Sequence, residues 1–153
     1  ILTPASGGLM VRELTHTQIL ELYATREVLE GAVAAFAAHN SRASEILNLR
    51  RLAEAFARSG DNPRSIWSSN RDLHSALYAA THNEYLMRIV QDLNDPLALI
   101  PGTTYAIPGR FEEAVAEHNE IIDAIEQRDE KRAEEKARFH IRKSLEARLQ
   151  MMP

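Results

Sequence analysis

Apolar residues recur at intervals of three and four along most of the chain, which is the spacing of one face of an α-helix. No convincing run of alternating β-forming residues competes with this pattern after residue 14. Because amphipathic helices bury their apolar faces against one another, the pattern predicts an all-α antiparallel bundle of about six or seven helices. The six helices that can be located cover about residues 16–38, 42–58, 65–80, 83–93, 110–128 and 129–149.

Residues that favour helix ends mark several of these boundaries. Thr15, followed three positions later by Gln18, matches the capping-box pattern at the start of the first helix. Asn83 and Asp129 suit the N-caps of the fourth and sixth helices. Glycines and prolines at 60–63 and 96–109 are expected to interrupt helical structure before the third and fifth helices.

The first fourteen residues have a different pattern. Pro4 and the pair Gly7-Gly8 disfavour a helix, and Leu9 and Val11 are two positions apart, as on one face of a strand. We expect residues 1–14 to be extended and to belong to something other than the helical bundle, which then occupies residues 15–153.

Composition and charge narrow the function classes. The chain has 153 residues, a net charge of −4 and no clustered basic helix face, so these residues are expected to bind DNA poorly. It has no cysteine, which leaves histidine, carboxylates and amides as the available metal ligands. No window approaches the apolar length of a membrane span, and we expect a soluble, cytoplasmic domain that makes no membrane contact.

Arg26 stands in an apolar stripe of the first helix, where a permanent charge needs a partner. Glu30, one turn further on, is one candidate, and an anionic ligand held by two parallel hydrogen bonds is the other. The helix by itself does not decide between them.

Three histidines lie on inward faces of three different helices. His74 follows Asn70 by one turn, His118 stands in the stripe that includes Val115 and Ile122, and His140 shares a face with small residues. One such histidine is usually an ordinary core residue that finds a hydrogen-bond partner. Three from separate helices indicate a divalent metal site, with zinc the first candidate and nickel, manganese or iron as alternatives.

Several segments resemble one protein family in both order and spacing. The first is Tyr23 to Gly31, YATREVLEG, in which the family carries an effector-contacting arginine. The others are NRDLH at 70–74 with THNEYL at 81–86, EHNEIIDAIEQRD at 117–129, and His140-Ile141. Together they resemble the ligand-binding domain, called FCD, of GntR transcription regulators of the FadR subgroup.

That resemblance implies a set of roles for individual residues. His74, His118 and His140 match the family's metal-ligating histidines, and Arg26 matches the arginine that reaches the effector. Asn70 stands where the family more often has aspartate, so an uncharged amide is the expected fourth, weak or water-mediated ligand. Leu73 replaces the aromatic residue that usually precedes the signature histidine.

The resemblance also implies partners. Residues 1–11 are similar to the closing wing of the winged helix-turn-helix that precedes this domain in the family. A homodimer, a small organic acid as effector, and operator DNA bound through that N-terminal domain are expected from the family rather than from the pattern of residues.

Three functions are consistent with these residues. A non-enzymatic sensor would bind a small carboxylate at the metal, because neutral ligands leave the cation's charge uncompensated in a low-dielectric core. A metal-dependent hydrolase would use the same three-histidine site to activate water. A metal-free dimerisation module would use the histidines only for packing.

Overall fold

The computed structural model describes the backbone of residues 2–5 and 8–11 and, with side chains, residues 14–60, 62–94, 97 and 102–152. Asp61, Pro96 and Pro101, three of the expected helix-breaking positions, lie outside this description, as does Gly7. The described elements are β1 (Leu2–Ala5), β2 (Gly8–Val11), α1 (His16–Asn40), α2 (Ala43–Ala57), α3 (Pro63–Ala79), α4 (Glu84–Asn94), a 3₁₀ turn (Thr104–Ala106), α5 (Arg110–Glu126) and α6 (Glu130–Gln150).

The all-helical prediction is confirmed for the body of the protein, where every described element from α1 onward is helical. Before α1, β1 and β2 pair as an antiparallel hairpin in which Leu2 is opposite Val11 and Ala5 is opposite Gly8. These eight residues are extended, as the sequence indicates. That they form the end of a preceding winged helix-turn-helix stays a prediction.

Side-chain caps mark the starts of several helices. Thr15 and Gln18 form the expected capping box at the start of α1, and the side chain of Asp129 accepts the amide of Arg132 at the start of α6. α3 begins two residues before the predicted Ser65. The reason is that Asn62 caps the helix and Pro63 occupies its first turn, where its fixed φ is already helical.

α1 is the central helix and contacts α3, α4, α5 and α6. Its tightest packing is against α6, where small residues let the two backbones approach. A Cβ atom added at Gly31 would lie 2.9 Å from Cγ of Arg138 on α6. The core that these helices share includes Ala34 and Ala37 of α1 and Ala133 and Ala137 of α6.

Two large apolar side chains lie outside the core. Phe36 continues the three-and-four spacing of Leu29 and Val33 on α1 but is 43% exposed, and Trp67 is 56% exposed. Near Phe36, the buried face of α1 is formed by Ala34, Ala37 and Ala38. Small residues such as these contribute little to a pattern that is identified from large apolar side chains. Trp67 instead lies on the outer face of α3, with the guanidinium of Arg71 at 4.8 Å from its ring.

None of the helices in the described part of the chain is both long and apolar enough to cross a membrane.

Candidate metal and effector site

The three predicted histidines meet in the interior of the bundle, at the junction of α3, α5 and α6. One ring nitrogen from each of His74, His118 and His140 lies within 4.8 Å of the others. The ring centroids are 4.7 Å apart for His118 and His140 and 5.4 Å apart for His74 and His118. Three imidazoles at this separation have the arrangement needed to face a single divalent cation.

His118 is the most unusual of the three because it is buried and neither ring nitrogen has a hydrogen-bond partner among the described residues. Its ring packs edge-on against Phe56 at a centroid distance of 4.8 Å. Buried polar groups in folded proteins nearly always find a partner, so an imidazole without one needs an explanation. A metal ion bound at one nitrogen would supply it, and these residues therefore fit the metal that the motifs imply.

The electrostatic environment keeps two of the rings neutral. Burial is the main reason that the pKa values of His118 and His140 fall well below that of an ordinary histidine, and the neighbouring imidazoles and Arg110 add to the effect. At neutral pH both rings are therefore uncharged and keep a lone pair on one nitrogen. This is the state in which histidine binds a metal.

A buried ion pair lies directly behind His140. Both terminal nitrogens of the Arg110 guanidinium donate to Glu117, each at 2.7 Å, and Oε2 of Glu117 lies 2.6 Å from Nδ1 of His140. Burial raises the pKa of Glu117, and the guanidinium of Arg110 opposes that shift. The three side chains form a continuous chain from the first residue of α5 to the histidine cluster.

A second buried carboxylate, Glu30 of α1, lies on the side of His74. It accepts a hydrogen bond from Tyr78 at 2.8 Å and a long one from Arg26 at 3.4 Å, and its Oε2 lies 3.8 Å from Nδ1 of His74. Burial would raise the pKa of Glu30, but the interactions with His74, Arg26 and Tyr78 outweigh it and lower the pKa to about 2. Glu30 is therefore an anion over the whole physiological pH range.

Arg26 has the first of its two predicted partners, although the contact is weak. Its bond to Glu30 is long, its Nε has no hydrogen-bond partner among the described residues, and its guanidinium carbon lies 5.2 Å from the ring centre of Tyr23. Most of its donors are thus available to another acceptor. The effector-binding role of Arg26 stays a prediction.

Asn70 lies one turn before His74 on α3, and its side-chain oxygen accepts a hydrogen bond from the hydroxyl of Tyr105 at 3.0 Å. The same oxygen has a second lone pair that this bond does not use. A role of Asn70 as the fourth, weak ligand stays a prediction.

The cavity that reaches His74 and His118 is small, at ≈ 20 Å³, which is room for about one water molecule. Its other walls are apolar and come from Leu49, Leu73, Leu77, Ile121 and Ile122. A ligand larger than water would therefore require neighbouring side chains to move.

Comparison with known proteins identifies the family of this chain. The model of the FCD domain family matches residues 21–143, a span that includes all three histidines, Glu30 and Glu117. The chain belongs to the FCD domain family. The match confirms the family resemblance that the sequence motifs indicate.

A curated relative is the Uxu operon regulator of Haemophilus influenzae, which is 29% identical over 91 residues, or 60% of this chain and 34% of that protein. The matched region is therefore about a third of that regulator's length. Among solved structures, E. coli McbR/YncC has a TM-score of 0.85 at 19% identity and is matched over 99% of this chain and 78% of its own. Streptococcus agalactiae GntR has a TM-score of 0.74 at 18% identity, over 95% of this chain and 74% of its own. At these identities the two structures establish the fold of this FCD domain.

The sequence analysis assigned no role to Arg110, and it included Glu117 only as the first residue of the family segment at 117–129. A signal was available, because Arg110, Ala114 and Glu117 have the i, i+4, i+7 spacing of one helical face. α5 thus buries two adjacent stripes, one that carries His118 and one that carries this ion pair. Tyr105 had no signal of its own, since it lies in a short turn that only the fold brings over α3.

Proposed function

We propose that this FCD domain is the effector-sensing and dimerisation domain of a GntR transcription regulator of the FadR type. It binds a divalent metal and a small organic acid, and operator DNA is bound by an N-terminal winged helix-turn-helix in the same polypeptide. The observation that carries the proposal is the buried cluster of His74, His118 and His140, in which both nitrogens of His118 have no partner among the described residues. The relatives described as an operon regulator and as GntR support the regulatory role.

The metal is held by the three histidines, with Asn70 as a weak or water-mediated fourth ligand. A bound divalent cation would supply positive charge and open coordination positions for a carboxylate oxygen. Zinc is the first candidate because it accepts neutral imidazole ligands in a small, roughly tetrahedral site. Nickel, manganese and iron are the alternatives.

The charges around the site favour an anionic effector. Glu30 pairs with Arg26 and Glu117 pairs with Arg110, so each buried carboxylate is already matched by one guanidinium. The imidazoles of His118 and His140 are neutral at physiological pH, because burial lowers their pKa values. The charge of a divalent cation is therefore left uncompensated, and a small carboxylate complements it while Arg26 contacts its other end.

The arrangement gives less support to a metal-dependent hydrolase. A hydrolase of this type needs a carboxylate or histidine free to accept a proton from water. Both buried carboxylates at the site are engaged by arginine and by Tyr78 or His140. We therefore favour a non-enzymatic sensor, and the proposed DNA-bound role implies a cytoplasmic location.

The test is metal analysis and calorimetric titration of protein purified without a metal-affinity tag. We expect about one divalent metal per chain, binding of small carboxylates only to the metal-loaded form, and loss of both in His118→Ala. His39→Ala is the matched control, because His39 is exposed and pairs with Glu130 away from the cluster. Metal-independent carboxylate binding, or full metal occupancy in His118→Ala, would overturn the proposal.

A further inference from the structure

The ion pair behind His140 is more enclosed than an ordinary salt bridge. The side chains of Arg110, Glu117 and His140 are only 3%, 6% and 5% exposed. Both oxygens of Glu117 accept from Arg110, and one of them also contacts Nδ1 of His140. Arg110 also lies 3.4 Å from Oγ of Ser144 on α6. Glu117 is therefore held from two sides in a single orientation.

This geometry constrains the proton on His140. Both oxygens of Glu117 accept from Arg110 and act here as acceptors, so the contact of 2.6 Å with Oε2 requires that Nδ1 of His140 carries the hydrogen. In a neutral imidazole the other nitrogen, Nε2, then carries the lone pair. His118 has no comparable partner, so nothing described around it selects one nitrogen over the other.

We propose that Glu117, anchored by Arg110, is a positioning residue that fixes the tautomer and orientation of His140, so that this ring joins the cluster through Nε2. The inference rests on the proposed metal site for its purpose, but its effect on the ring does not depend on any metal. Carboxylates that accept the second N–H of a ligating histidine raise the basicity of that ligand, and removing them commonly weakens metal binding by about 10–100-fold. Arg110 contributes indirectly, because its two hydrogen bonds prevent the carboxylate from turning away.

The chain offers a matched pair of substitutions. Glu117→Gln keeps the size of the side chain, but its amide can donate to Nδ1 and so favour the opposite tautomer of His140. Glu113→Gln removes a carboxylate that also contacts Arg110, at 3.5 Å, yet is 59% exposed and makes no described contact with His140. If an acidic partner of Arg110 acted only through its charge, both variants would change the tautomer of His140 and the zinc affinity.

The first measurement is the tautomer of His140 in the metal-free chain, determined from the ¹⁵N shifts of its ring. We expect the Nδ1–H form in the wild type and in Glu113→Gln, and a substantial Nε2–H population in Glu117→Gln. The wild-type spectrum alone is decisive if Glu117→Gln fails to fold. A predominant Nε2–H form in the wild type would overturn the inference.

The second measurement is zinc affinity by competition with a chromophoric chelator. We expect Glu117→Gln to bind zinc about 10–100-fold more weakly than the wild type, and Glu113→Gln to bind it within about twofold. Wild-type affinity together with a wild-type tautomer in Glu117→Gln would overturn the positioning role. If the wild type binds no divalent metal, the proposed function fails, while the tautomer measurement still decides the role of Glu117.

Discussion

The hydroxyl of Tyr105 donates a hydrogen bond to the side-chain oxygen of Asn70 at 3.0 Å, which ties the 3₁₀ turn before α5 to the helix that carries His74. The ring of Tyr105 is also packed edge-on against Phe56 at 5.6 Å and against Phe111 at 6.2 Å. Burial is the main reason that the pKa of Tyr105 lies well above the ordinary tyrosine value. The hydroxyl is therefore a permanent donor, and it would stabilise a carboxylate at position 70 as well as it does the amide.

Asn70→Asp is accordingly expected to fold normally, to raise the affinity for zinc and to lower the affinity for small carboxylates. A carboxylate adds a negative ligand beside His74, so we expect zinc to bind about tenfold more tightly or better. The same charge lowers the net positive charge of the site and should weaken the binding of small carboxylates. Calorimetric titrations with zinc and with a panel of organic acids measure the two effects.

Asn119→Asp is the control for this prediction, because Asn119 is exposed, its side chain donates to the backbone oxygen of Val115, and the substitution adds the same charge at the surface. Unchanged affinities in Asn70→Asp would mean that Asn70 is not a metal ligand.

His118→Leu is expected to stabilise the metal-free protein while abolishing metal binding. Leucine removes two buried nitrogens that have no partner among the described residues, and it fits an environment that includes Leu49, Ile121 and Ile122. Relief of an unpaired buried polar group is worth about 1–3 kcal/mol in the free energy of unfolding. Urea denaturation of metal-stripped wild type and variant checks this. A variant less stable than the stripped wild type would show that His118 has a partner in the folded protein.

Arg26→Lys tests the predicted effector contact. Lysine keeps the positive charge beside Glu30 but cannot form two parallel hydrogen bonds to a carboxylate. We expect the variant to fold, to retain its metal, and to lose about tenfold or more in affinity for small carboxylates. Thermal-shift titrations of both metal-loaded proteins provide the readout, because a ligand that binds only the folded state raises the melting temperature. Equal shifts would remove Arg26 from the effector site and leave it as the partner of Glu30.

Acidification is expected to destabilise the metal-stripped protein from about pH 6.5 downward. In the unfolded chain, the imidazoles of His118 and His140 take up protons at the ordinary pKa of 6.5, whereas the folded protein keeps their pKa values well below it. The unfolded state then binds more protons, so the free energy of unfolding falls as the pH drops through this window.

A second decline in the free energy of unfolding should follow from protonation of Glu30. Its pKa is about 2 in the folded protein against an ordinary value of 4.5, so its contribution is complete above pH 4.5 and is lost as the pH approaches 2. Melting temperatures from pH 8 to pH 2 measure both windows. The first decline should be shallower in His118→Leu and unchanged in His39→Gln, and a wild-type melting temperature that is flat between pH 7 and pH 5 would contradict it.

The sequence by itself was sufficient for the helices and for the residues that carry the candidate chemistry. Caps such as Thr15 and Asp129 act on backbone amides within three residues, so their effect can be read locally. The repeat of apolar positions identifies the inward face of each helix, and this put His74, His118 and His140 in the interior before their neighbours were known. The family motifs added the link between these histidines and a metal.

Only the tertiary structure decided which inward residues meet. Periodicity says on which face of a helix a residue lies, but it does not say which other helix packs against that face or at what height. The contact of Glu117 with His140 spans 23 positions and that of Glu30 with Tyr78 spans 48, and both depend on how helices cross in the bundle. The exposure of Phe36 could not be predicted for the same reason, since the alanines around it on α1 are the residues that pack against neighbouring helices. The sequence thus identified the candidate ligands, while helix packing determined which carboxylates and arginines lie beside them.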